Sequence, residues 1–135
     1  MNADSPLYQE WLKKVEEDEF AGKEILDGKQ FPAPACFHFQ QVAEKSLKAL
    51  LIFYGKEFPK IHDLIALASI IESIAPDIKN HRKDLEFLNR YYIETRYPGD
   101  YPEFTLEESQ KSLESALRVK SFVLEKMRQG YPPSQ

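Results

Sequence analysis

The sequence predicts an all-α fold: an up-and-down antiparallel helical bundle of four long helices plus one shorter helix. Apolar residues recur at steps of three and four, as in Phe39, Ala43, Leu47, Leu50 and Tyr54, which aligns them on one helical face. Proline, glycine and capping residues punctuate these runs at helix-length intervals. Short loops between long amphipathic helices favour antiparallel neighbours. No segment reads as a strand.

The first helix starts at Ser5-Pro6, a capping serine followed by proline at the first helical position. It carries Leu7, Trp11, Val15, Gly22, Ile25 and Leu26 on one side and stops near Gly28. The second is expected from about Pro34 to Tyr54, with Gly55 as its stop. Its last turns are apolar nearly all round, which suits a central helix with neighbours on several sides. The third, shorter, spans about Asp63 to Ser73 between Pro59 and Pro76, with Asp63 as its cap. The fourth is expected from about Asn80 to Tyr97, ending before Pro98. Thr105-Leu106-Glu107-Glu108 reads as a capping box for the fifth, which runs to about Arg128.

One domain accounts for all 135 residues (15.7 kDa). Hydrophobic residues make up 42% and charged ones 30%, a globular balance without the roughly 20-residue apolar run of a membrane span. The N-terminus lacks the basic start and apolar stretch of a signal peptide. The single cysteine, Cys36, has no partner for an internal disulfide. A soluble cytoplasmic protein is the expectation. The net charge of -4 argues against binding nucleic acid chiefly by neutralising phosphates.

Polar residues at apolar spacings single out candidate sites. Asp18 follows Trp11 and Val15 on the first helix, and reads either as solvated within the acidic run Glu16 to Glu19 or as paired with Arg90, Arg96 or Lys45, since a lone buried carboxylate is costly. On the second helix His38, Gln41, Glu44, Lys45 and Lys48 form a polar side expected to be mostly solvated. On that reading Lys48→Ala costs no more than about 0.5 kcal/mol. Gln40 and Gln41 lie nearer the packing side. His62-Asp63 either packs and caps the third helix or lines a pocket. His38, His62 and His81 show no metal-ligand spacing, so no metal is expected. The fourth helix concentrates Asn89, Arg90, Tyr92, Arg96 and Tyr97. Arginine binds phosphate in bidentate fashion and tyrosine stacks on bases, a pairing that suits a nucleotide and equally a polar helix interface. Near the end of its helix, Arg96 also suits the last carbonyls.

The order FHFQQVAEKSLKALL, then Gly55, then Ile61-His62-Asp63-Leu64, then Leu88-Asn89-Arg90-Tyr91-Tyr92-Ile93-Glu94-Thr95-Arg96-Tyr97-Pro98 resembles the HEPN family, over nearly the whole chain. The resemblance implies a helical bundle. Many HEPN domains are ribonucleases whose signature is an arginine followed, four to six residues later, by histidine, on two helices of a dimer. Here the window after Arg90 holds Thr95, Arg96 and Tyr97, and that after Arg96 holds Tyr101, Pro102 and Glu103. Neither contains histidine, so no catalytic residue is assigned. What the resemblance then implies is a small stand-alone HEPN protein that binds a nucleotide or a nucleotidyltransferase partner in a toxin–antitoxin-like pair. A divergent ribonuclease and a purely structural module are the alternatives. Candidate binding residues are Asp18, Lys45, His62, Asp63, Asn89, Arg90, Tyr92, Arg96 and Tyr97. No cofactor is expected. Nine phenylalanines and seven tyrosines, on helices with more than one apolar side, favour a homodimer that covers the excess.

Overall fold

The computed structural model describes residues 6–92 and 104–130. Among these the chain forms five α-helices and no strand: α1 (Pro6–Gly28), α2 (Pro32–Phe53), α3 (Leu64–Glu72), α4 (Arg82–Asn89) and α5 (Leu106–Gln129). A 3₁₀ helix at Pro76–His81 leads into α4. Ser5, Arg96 and Tyr97 lie outside the described residues.

α1 and α2 are joined by a tight connection in which Lys29 takes the left-handed conformation (φ 58°). The chain therefore returns antiparallel: Tyr8 meets Phe53 edge to face at 5.3 Å near one end, and Gly22 lies against Phe39 near the other. A Cβ at residue 22 would come within 2.5 Å of the Phe39 ring, so glycine sets how closely the two helices approach. α2 starts at Pro32, two residues before the expected position. Prolines at 32 and 34 both fit its first turn, where a backbone N–H has no helical acceptor anyway.

α2 is the central helix. Its Phe39, Val42, Ala43, Leu47, Leu50 and Leu51 are fully buried, and the same core takes Val15 from α1, Leu64, Leu67 and Ile71 from α3, Leu85 and Leu88 from α4, and Val119 and Val123 from α5. α5 presents Ser109, Ser112, Ser115 and Ala116 as a buried small-residue face. Ser112 Oγ donates to Cys36 Sγ at 3.6 Å, and Cys36 Sγ contacts Ser109 Oγ at 3.8 Å. The first turns of α2 and α5 therefore lie together, and the two helices run in the same direction in direct contact. Thr105 caps α5 by accepting from the Glu108 N–H at 3.0 Å.

Among the described residues the expected fourth long helix is instead a 3₁₀ turn followed by the short α4, which ends at Asn89. Long-range partners pull the next residues off the helical path. Asn89 reaches back to the start of α3, Tyr91 turns into the core, and Tyr92 stacks on His62. The closing bond, from Tyr91 N–H to the Leu88 carbonyl, is a tight three-residue turn.

Candidate functional site

The start of α3 and the end of α4 meet in an open cleft of about 500 Å³, lined by Lys60, Ile61, His62, Asp63, Asn89 and Tyr92. Asp63 is the N-cap of α3, and its Oδ1 accepts from the N–H groups of Ile65 (2.9 Å) and Ala66 (3.3 Å). Asn89 ties α4 to that cap: its Oδ1 accepts from Leu64 N–H at 2.8 Å while its Nδ2 donates to Asp63 Oδ1 at 3.1 Å. Tyr92 lies flat on His62, centroids 4.1 Å apart and planes 13° from parallel. Lys60 makes no ion pair among the described residues, leaving an ammonium group at the rim.

Behind the cleft stands a polar cluster on α2. Glu44 Oε2 accepts from Lys48 Nζ at 2.8 Å and from His62 Nδ1 at 3.1 Å. Its Oε1 accepts from Gln40 and Gln41, each at 3.3 Å. The Gln40 amide also reaches the His62 carbonyl, at 3.5 Å. Burial pushes the Glu44 carboxyl up, but the hydrogen bonds from Lys48 and His62 and the Lys48 charge outweigh it and hold it below its ordinary value. The side chain of His62 is thus fixed on one edge by a carboxylate and on one face by a tyrosine. The solvated surface expected for this side of α2 is corrected: Glu44 is 3% exposed and Lys48 6%. Trp11 of α1 and Phe58 of the α2–α3 connection cover Lys48, with ring centroids 5.6 and 5.9 Å from Nζ. An exposed-lysine tolerance of Lys48→Ala does not apply.

A second cluster lies between α1 and α2. Asp18 Oδ2 accepts from Lys45 Nζ at 2.6 Å, and Oδ1 from His38 Nδ1 at 2.9 Å. Of the two readings of Asp18 the paired one holds, with Lys45 as the cation and His38 as an unforeseen third member. Phe37 links this cluster to the cleft, 6.0 Å from the His38 ring and 6.5 Å from Tyr92.

The structure thus gathers His62, Asp63, Asn89 and Tyr92 in one cleft, and Asp18 with Lys45 beside it. Arg90 goes elsewhere: its guanidinium lies 4.2 Å from the Phe87 ring centroid and donates to the Tyr91 hydroxyl at 3.1 Å. That hydroxyl in turn donates to Glu108 at 2.8 Å. Burial and the bond to Glu108 push the Tyr91 phenol up to about 12. Glu44 and Lys48, expected as solvated surface, and Lys60 join the site residues legible in the sequence. The signal for the first two was present, since Gln40, Glu44 and Lys48 follow at steps of four on a helix apolar on its other sides.

The HEPN domain family model matches residues 8–127. Among curated proteins, "Putative toxin MJ1304" of Methanocaldococcus jannaschii is 26% identical, the match covering 90% of this chain and 88% of that protein. Two solved structures share the fold. TT1696 from Thermus thermophilus superposes with a TM-score of 0.76 at 27% identity, over 90% of this chain and 99% of that one. ST0689, an archaeal HEPN homologue, gives 0.72 at 26% identity, over 88% and 96%. No helix among the described residues is long and apolar enough to cross a membrane.

Proposed function

The chain belongs to the HEPN family, and from that premise we propose that it is a toxin-like, non-catalytic binding protein. Its cleft takes a nucleotide, and it works as a homodimer beside a nucleotidyltransferase partner. The observation that carries the reading is the convergence of an aromatic stack, a carboxylate–carboxamide pair and a rim lysine in one cleft. The face of a stacked ring suits a base, a fixed polar pair suits its edge, and an ammonium group suits a phosphate. Kinship with a protein named as a toxin supports the paired setting. Calorimetric titration with ATP and GTP tests the cleft. Saturable binding is expected, weakened about tenfold or more by Tyr92→Ala, in keeping with about 1–3 kcal/mol per stacked base, and weakened also by Lys60→Ala through loss of the ammonium group. Titrations that stay flat with both nucleotides would refute it.

A divergent ribonuclease is the second reading, and one observation favours it. His38 and His62 each have Nδ1 held by a carboxylate, which leaves Nε2 for proton transfer. Against it stands the missing arginine–histidine motif, with Arg90 engaged by Phe87 and Tyr91. Purified protein is therefore expected to leave RNA intact over hours without metal. Cleavage that vanishes in His38→Ala or His62→Ala would establish the enzyme instead.

A further inference from the structure

The outward face of α1 carries an apolar anchor within unpaired acid. Its acidic run divides by direction. Glu16 and Glu19 pair with Lys120 of α5 at 2.6 Å each, and Asp18 pairs with Lys45 at 2.6 Å, so these three are engaged by the bundle. Glu17, Phe20, Glu24 and Asp27 follow at steps of three, four and three, one outward stripe beside Glu16 that Lys13 joins four residues before Glu17. All four are exposed, and the three carboxylates enter no ion pair among the described residues. Phe20 is 68% exposed, and Phe31, just past the end of the helix, 61%. These are the two most exposed large apolar side chains among the described residues. Phe20 thus sets an aromatic ring at the centre of an acidic face.

We propose that this stripe is a docking surface for a protein partner that offers an apolar pocket for Phe20 ringed by lysine or arginine. Charge complementarity selects the occupant. A nucleic acid or an anionic membrane would bring phosphates against Glu17, Glu24 and Asp27. A second copy docked through the same face would set the stripe against itself, because a two-fold interface repeats its own patch. A basic surface neutralises the carboxylates and receives the ring, the arrangement of an aromatic anchor inside a polar rim. The surface is on α1 and stands whether or not the cleft takes a nucleotide.

The test uses the full chain and two synthetic helical peptides, one with leucine on one face and lysine on the other, the second with glutamate in place of lysine. The lysine peptide is expected to bind in fluorescence anisotropy, to shift amide resonances of residues 17–27, and to release as salt rises from about 0.05 to about 0.5 M. Phe20→Ala is expected to weaken it about tenfold, with melting unchanged for so exposed a position. Glu17→Lys and Glu24→Lys together should transfer preference to the glutamate peptide. Lysine-peptide binding untouched by Phe20→Ala, or shifts that map away from α1, would overturn the proposal. So would a homodimer that dissociates on Phe20→Ala, which would make a second copy the occupant, or RNA that shifts the same amides.

Discussion

Replacing Phe39 by alanine is expected to destabilise the protein by about 3–5 kcal/mol. The ring is fully buried at the contact between α1 and α2, lying against Gly22. Its removal leaves a cavity that the glycine, having no side chain, cannot fill, and the two helices are held apart by the rest of the core. Leu47→Ala, one face-repeat further along α2, should cost about 2–5 kcal/mol for the same reason. Urea denaturation reads both losses as a lower midpoint at unchanged slope. A Phe39→Ala protein that unfolds with the wild type would refute the packing described for α2.

Glu44→Ala ranks next, at about 3–5 kcal/mol, because it strands Lys48 as a buried cation. The buried carboxylate also makes stability depend on acid. Burial works to raise its pKa, but Lys48 and His62 prevail and it is lowered in the folded protein. Its contribution is therefore fully present above the unfolded carboxylate value, about 4.3, and is lost as the pH falls through the lower folded value. The stability gap between wild type and Glu44→Gln should accordingly narrow below about 4. Urea midpoints at a series of pH values measure that gap. A gap that does not narrow below about 4 would show that the carboxylate is not held below its ordinary value in the folded protein.

The fold was legible because it rests on local signals. Helix periodicity, Asp63 and Thr105 as caps, and the glycine stops near residues 28 and 55 are written in short windows, and five helices form where these signals lie. α4 was misjudged in length because its end is decided at a distance, by Asn89 against Asp63, Tyr91 against Glu108 and Tyr92 against His62. No propensity within residues 80–97 encodes those partners. The same holds for the polar side of α2. Glu44 and Lys48 lie four residues apart, but an exposed pair of that order contributes only about 0.2–0.5 kcal/mol. Trp11 and Phe58 turn it into a buried one, and they are far away in sequence. His62, Asp63, Asn89 and Tyr92 are legible in the sequence by residue type, whereas their convergence belongs to the tertiary fold.

Assignment of the cleft is tested most directly by amide and aromatic resonance shifts of the full chain titrated with ATP and GTP. Saturable shifts centred on residues 60–63, Asn89 and Tyr92 are expected, with the His62 ring moving together with Tyr92 because the two are stacked. Shifts confined to other parts of the bundle, or none at saturating nucleotide, would contradict it.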